Sequence, residues 1–339
     1  MIKWIRSKSF CRPALALVAI FGPIALAGAN SGPEDVRLNA DYSKAAAVRA
    51  IMEKYVKASL PGVAVAVHTE KEGWWADAAG FSRTEDKTPM RPEHMQYLQS
   101  VAKTFMATVI LKLVEKGKIT LDDPISHHLP AWAAGSLSTP ADMTGRMLLN
   151  HTSGVPEYTT RPRYVSRVLL HPLEMSSLRE NLSYIQNEAP LFAPGSRYAY
   201  TNTNFELLAL IADTITGDHV ADMKEYIFKP LGMTHTRYLR SPADLDGLPV
   251  VDSYWDVLGT GEPANITPMQ KAKVASMKGD DGIVCTPVDA VKFIVGLMEG
   301  KLLNADSLEL MMSPVKNDKG DPVYGLGLSY LQAGGIEAW

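Results

Sequence analysis

The stretch from Leu98 to Gly117 constrains the fold of this chain more than any other. Apolar residues recur at Phe105, Met106, Val109, Ile110, Leu113 and Val114, the i, i+3, i+4 spacing of a helix packed in a core. Gly117 stands where a C-terminal cap belongs. The first turn carries Ser100-Val101-Ala102-Lys103. Residues three apart on a helix share a face, with Cβ atoms about 5–6 Å apart, so the Lys103 amine can reach the Ser100 hydroxyl. A helix start favours negative charge, which would stabilise a Ser100 alkoxide or a substrate carboxylate. Burial disfavours a charged ammonium, so Lys103 is placed to take the Ser100 proton. Serine is also a preferred helix cap, so the pair alone leaves open a capping serine beside an exposed lysine. A second copy, Ser313-Pro314-Val315-Lys316, has a proline inside it and no apolar helix behind it. That copy is expected to be a surface loop.

The 339 residues suit one large domain or two smaller ones. With 46% hydrophobic residues, the chain has ample material for a core. A formal charge of −3 gives no basic field for nucleic acid. Residues 1–27 combine Lys3, Arg6, Lys8 and Arg12 with an apolar run from Pro13 and the small-residue site Ala25-Leu26-Ala27. This pattern predicts a secretory signal peptide cleaved after Ala27, hence an exported, periplasmic or secreted protein with no stable membrane anchor. The charge falls to −7 once those four cations are removed. Cys285 is then the one remaining cysteine, expected to be a small core residue.

After an amphipathic helix over 42–58, Val63–Val67 and Glu72–Phe81 read as a β-hairpin across a short charged turn. From 119 to about 244 the pattern is mainly helical, with segments at 143–150, 177–187, 202–217 and 220–231. His151 in Leu148-Leu149-Asn150-His151-Thr152-Ser153-Gly154 reads as a structural loop residue. Tyr200-Thr201-Asn202 precedes another apolar helix. In an extended loop both side chains could face one side; the plainer alternative has Tyr200 packing its ring and Asn202 capping the helix. Residues 240–278 look irregular. Ile283–Cys285 reads as a strand, and Thr286 as the cap of a helix starting at Pro287. Residues 308–312 form a further short helix, 324–331 a strand, and 336–339 the start of another. No H-E-x-x-H or spaced histidine pair is present, so nothing implies a metal or cofactor. A G-x-S-x-G elbow is also absent, which excludes an α/β-hydrolase.

Ser100-Val101-Ala102-Lys103, Leu148–Gly154 and Tyr200-Thr201-Asn202, in that order, resemble the β-lactamase-related serine hydrolases. That family includes class C β-lactamases, D-alanyl-D-alanine carboxypeptidases and related esterases and amidohydrolases. Tyr200-Thr201-Asn202-Thr203-Asn204-Phe205 is most similar to the carboxypeptidase branch. The resemblance spans nearly all of residues 28–339 and implies an α/β (α+β) fold. An antiparallel sheet flanked by helices would come from about 41–118 and 279–339, with a mainly helical insert over about 119–278. It implies Ser100 as nucleophile of an acyl-enzyme, Lys103 and Tyr200 as one coupled proton-transfer unit, and Asn202 as a hydrogen-bond partner of the substrate amide. The implied substrates are D-Ala-D-Ala-type peptides, β-lactams or small esters. Two alternatives are a catalytically silent penicillin-binding or cell-wall-sensing module, and an esterase unrelated to peptidoglycan. The family's third motif, Lys-Thr-Gly or His-x-Gly on a strand, is absent. The expectation is therefore a chain truncated at its C-terminal end and impaired as a catalyst.

Overall fold

The computed structural model describes residues 36–256, 259–333 and 336–339. The expected signal peptide lies outside the described residues. The chain starts with helix α1 (Ala45–Lys57), then strands β1 (Gly62–Thr69) and β2 (Gly73–Arg83). These two form the expected hairpin, antiparallel, with Val65 opposite Asp77 and Val67 opposite Trp75. A two-residue strand, β3 (Thr88–Pro89), extends it. Tyr42, Ala45 and Met52 bury Trp75 beneath α1, so the amphipathic face of α1 explains its docking on the hairpin.

Strand β4 (Gln96–Tyr97) leads through a 3₁₀ turn, Gln99–Val101, into α2 (Ala102–Glu115). Every α2 residue from Ala102 to Leu111 is buried. A helix apolar on all sides belongs in a core, and α2 is the axis of the largest apolar cluster. It ends as its sequence predicts: Gly117 adopts φ +64°, and Lys118 N–H bonds the Leu113 carbonyl, closing the helix with a left-handed cap.

Short helices follow: α3 (Ala131–Ala134), α4 (Gly145–Leu149), α5 (Pro162–Leu170) and α6 (Leu178–Ser183). Then comes the long α7 (Thr203–Thr216), which packs on α2 and α4. Helix α8 (His219–Met223) continues into a π segment, Lys224–Phe228. Strand β5 (Thr236–Tyr238) and, after two short strands β6 (Tyr254–Trp255) and β7 (Ala264–Asn265) and helix α9 (Thr267–Ser276), strand β8 (Ile283–Cys285) complete a second small sheet. Its order is β4-β8-β5, with Tyr97 opposite Val284. Helix α10 (Pro287–Met298) begins at its expected Thr286 cap, whose hydroxyl accepts the Asp289 N–H. Phe293 on α10 stacks on Phe105 of α2, ring centroids 3.5 Å apart. Helix α11 (Ala305–Met311) follows, and the hairpins β9 (Val315–Lys316) with β10 (Pro322–Tyr324), and β11 (Leu331–Ala333) with β12 (Ile336–Ala338), finish the chain.

Several expectations are corrected. Helix α9 lies in the stretch expected to be irregular, and α5 lies within the mainly helical stretch but outside the segments named in it. Residues 324–331 are not one strand: Gly325–Leu328 forms a buried turn between β10 and β11. Gly327 forces that turn. Its φ is +76°, and a Cβ there would stand 2.3 Å from the Ala107 side chain, so the turn lies flat on α2 only because glycine has no side chain. Thr104 of α2 clamps it by donating to the Gly327 carbonyl at 2.8 Å. Ser313 is exposed as expected, but Val315 and Lys316 form a strand rather than a loop.

Candidate active site

The strand register places the site. Because β4 pairs with β8, the loop just before β8 runs alongside the entry to α2, and Leu98 N–H bonds the Ile283 carbonyl. Gln99 makes the bend between β4 and α2 with φ +52°, a left-handed conformation uncommon for a side-chain-bearing residue. Ser100 follows at the surface, within the 3₁₀ turn rather than the first α turn. It does not cap α2, whose start carries no side-chain cap bond. Lys103 lies beneath it, only 1% exposed.

The Lys103 amine sits at the centre of the arrangement. Nζ is 3.2 Å from Ser100 Oγ, 2.8 Å from Asn202 Oδ1 and 3.0 Å from the Asp280 carbonyl oxygen. An ammonium has three donors for these three acceptors. A neutral amine has two donors and one lone pair, and the lone pair suits Ser100 Oγ–H as donor. The same geometry therefore serves both sides of a proton transfer from serine to lysine. The Tyr200 ring lies 5.2 Å from Nζ, a cation–π distance. The structure thus brings together Ser100, Lys103, Tyr200 and Asn202. Asn202 does not cap α7 with its side chain. It has helical rather than extended torsions, φ −66° and ψ −32°, and still turns toward the lysine with Tyr200.

The Leu148–Tyr158 segment templates the Tyr200-Thr201-Asn202 loop. The His151 carbonyl accepts from Ala199 N–H at 2.9 Å, and His151 Nδ1 accepts from Thr201 N–H at 3.3 Å. Glu157 Oε2 accepts the Asn202 N–H at 2.5 Å. The Thr203 hydroxyl donates to the Pro156 carbonyl, and Ser153 Oγ donates to Asn204 Oδ1, both at 2.7 Å. Glu157 and Asn204 carried no sequence signal of this role. Their roles arise only from the contact between the two segments, which lie more than forty residues apart in the chain.

Behind Lys103 lies a set of buried acids that the sequence did not single out. Asp280 and Asp281 are held in place by Gly279, at φ +78°, where a Cβ would meet the Phe205 carbonyl at 2.5 Å. Burial pushes the Asp280 carboxyl up to about 7, against the pull of the Lys103 cation, and burial raises Asp281 to about 6. Glu206, one turn along α7 from Asn202, accepts from the Tyr158 hydroxyl at 2.9 Å and from Asn181 Nδ2 at 2.7 Å. Burial, and then the charge of Asp280, hold Glu206 well above the usual carboxylate range. His151 is fully buried, and burial with the nearby Lys103 charge keeps its ring neutral by lowering its basicity. Cys285 is a buried core residue, its thiol pushed up by burial. Among the described residues no group of three or more His, Cys, Asp or Glu could hold a metal ion, and no helix is long and apolar enough to cross a membrane.

Comparison with known proteins places the chain in a family. A family profile described as Beta-lactamase matches residues 46–339. Penicillin-binding protein 4* of Bacillus subtilis (strain 168) is 28% identical over 261 residues, covering 73% of this chain and 55% of that protein. The chain thus spans about half the length of the curated relatives it matches. A D-stereospecific amidohydrolase from Streptomyces sp. superposes with a TM-score of 0.74 and 27% identity, over 86% of this chain and 85% of that one. The D-amino acid amidase of Ochrobactrum anthropi SV3, complexed with L-phenylalanine amide, superposes with a TM-score of 0.71 and 25% identity, over 86% and 82%. With the family profile covering nearly all of the described chain, this protein belongs to the beta-lactamase family of serine hydrolases.

Proposed function

We propose that the protein hydrolyses amide bonds next to D-configured residues through an acyl-enzyme on Ser100. The observation that carries this reading is the three-way coordination of Lys103 Nζ by Ser100 Oγ, Asn202 Oδ1 and the Asp280 carbonyl. It holds an amine in hydrogen-bond reach of an exposed hydroxyl, the arrangement a serine nucleophile needs. Ser100 Oγ attacks the acyl carbonyl as its proton passes to Lys103. Tyr200 completes the relay by protonating the departing amine. Asn202 turns its carbonyl oxygen to the lysine, which leaves its Nδ2 as the donor for a substrate carbonyl. Water then attacks the acyl-serine and the relay runs again. The D-stereospecific amidohydrolase, the D-amino acid amidase and the penicillin-binding relatives support D-residue amides and D-Ala-D-Ala-type peptides over small esters. The leader pattern of residues 1–27 supports export, where such peptides occur.

A substrate panel tests the reading: a D-Ala-D-Ala peptide, its L-Ala counterpart, a cephalosporin and a short p-nitrophenyl ester. The expected result is turnover of the D-configured amide above its L counterpart, abolished by Ser100→Ala. Stable labelling by penicillin with no turnover of any member would instead identify a binding module, and ester turnover alone would identify an esterase.

A further inference from the structure

The residue with the most unusual setting near the site is His151. It is a non-glycine residue at φ +60°, fully buried, with its imidazole ring 4.3 Å from the Tyr200 ring, 4.7 Å from Tyr324 and 5.3 Å from Phe205. A buried side chain held in a left-handed conformation persists only where its surroundings fix it. Here its two ring nitrogens have distinct duties. Nδ1 faces two donors: the Thr201 main-chain N–H at 3.3 Å and Asn204 Nδ2 at 3.2 Å. The Asn204 amide cannot turn its oxygen to the ring, because that oxygen already accepts the Ser153 hydroxyl at 2.7 Å. Nδ1 must therefore present its lone pair, and the single ring proton resides on Nε2. Nε2 is buried with no hydrogen-bonding atom against it, among the rings of Tyr198, Tyr200, Phe205 and Tyr324.

We propose that His151, as the Nε2–H tautomer, is the positioning residue for proton transfer through Tyr200: its Nδ1 holds the peptide between Tyr200 and Thr201, and its ring backs the Tyr200 ring. The proposal rests on the reading of Tyr200 as the group that protonates the leaving amine. The His151 main-chain carbonyl adds a second hold at Ala199 N–H, so the chain is tied to one residue just before Tyr200 and just after it. Tyr200 itself is 41% exposed and has little packing of its own on its open side. These ties hold the Tyr200 ring beside the Lys103 amine, 5.2 Å from Nζ.

A pair of substrates with one acyl group separates this role from general support of the fold. N-acetyl-D-alanine p-nitroanilide must have its leaving nitrogen protonated, whereas N-acetyl-D-alanine p-nitrophenyl ester releases a stable anion and needs no proton. Tyr200→Phe is the reference and should lower the anilide-to-ester ratio of kcat/KM at least tenfold. His151→Phe keeps an aromatic ring but loses the acceptor, and should lower that ratio in the same direction by tenfold or more. His151→Asn places Oδ1 where Nδ1 was and tolerates positive φ, so it should recover most of the ratio. A folded His151→Phe that lowers both activities equally would overturn the proposal, as would a greater loss in His151→Asn. If Tyr200→Phe leaves the ratio unchanged, the reading of Tyr200 fails first and the proposal falls with it; a split in Tyr200→Phe without one in His151→Phe sinks the proposal alone. Should His151→Phe fail to fold, nitrogen-15 NMR of the ring in the native protein decides. Protonated Nε2 with unprotonated Nδ1 is expected, and a proton on Nδ1 would contradict it.

Discussion

Ser100 and Lys103 differ in what they need from the fold. In the proposed mechanism the hydroxyl must be open to substrate, and the amine must be dry enough to exchange a proton with it. A 3₁₀ turn ahead of α2 satisfies both, with Ser100 outside and Lys103 enclosed. Replacing Lys103 by Met keeps the length and apolar stem of the side chain but removes every donor facing Ser100, Asn202 and Asp280. Penicillin labelling of Ser100 should fall by about 10²–10⁴ in rate, read by stopped-flow or gel fluorescence, while Ser313→Ala leaves labelling unchanged. Tyr200→Phe should retain the wild-type melting temperature and lose amide turnover in the same range; an unchanged rate would make Tyr200 a packing residue only.

The buried acids give a pH prediction. Burial, the largest cause, raises Asp280 to about 7 and Asp281 to about 6 in the folded protein. A carboxyl raised on folding binds its proton more tightly in the native state. Its stabilising contribution is complete below the unfolded aspartate value of about 3.9 and is lost as pH rises through the folded one. Stability carried by Asp280 should therefore decline between about pH 4 and 7. Asp280→Asn removes the titration and keeps the side-chain shape. The gap in melting temperature between Asp280→Asn and wild type should shift in favour of the variant as pH goes from 5 to 8. A gap that stays constant across that range would contradict the assignment.

At the scale of elements, the site depends on close approaches that only glycine permits. Gly279 carries the Asp280 loop against Phe205 of α7. Gly279→Ala should cost about 1–3 kcal/mol, from the positive φ and the 2.5 Å clash with the Phe205 carbonyl. It should also weaken labelling of Ser100, because the Asp280 carbonyl moves away from Lys103. Thermal melts and labelling rates check both effects. How far the sequence showed this architecture follows from what periodicity records. Helices α2 and α7 were legible because their apolar residues recur with a helical period and their ends are marked by Gly117 and Gly217. The β1–β2 hairpin and the Thr286 cap were legible for similar local reasons. Helix α5 was not, since Val165, Leu169 and Leu170 face solvent and its packed residue, Tyr164, stands almost alone. Helix α9 was hidden in a stretch of prolines and glycines. The four residues that meet around Lys103 could be named from the chain's resemblance to the family's motifs. The Asp280 carbonyl, Glu157 and Glu206 could not, because their roles arise from strand register and helix packing between segments far apart in the chain.

At the scale of the whole molecule, α2 is the core axis and the mount of the proposed proton acceptor, Lys103. Its burial on every side fixes Lys103, and the segments packed around it supply Asn202 from the start of α7 and the Asp280 carbonyl from the loop before β8. The leader pattern adds a proposal at this scale: the exported protein should begin after Ala27. N-terminal sequencing of protein recovered from the periplasm or medium checks it, and a product beginning at Met1 in the membrane fraction would contradict it. The central claim is that this assembly makes Ser100 a nucleophile. Intact-mass spectrometry of the protein after incubation with benzylpenicillin, followed by peptide mapping, tests it most directly. One adduct per chain is predicted, located on Ser100 and absent from Ser100→Ala; an adduct on another residue, or one that persists in Ser100→Ala, would contradict the account.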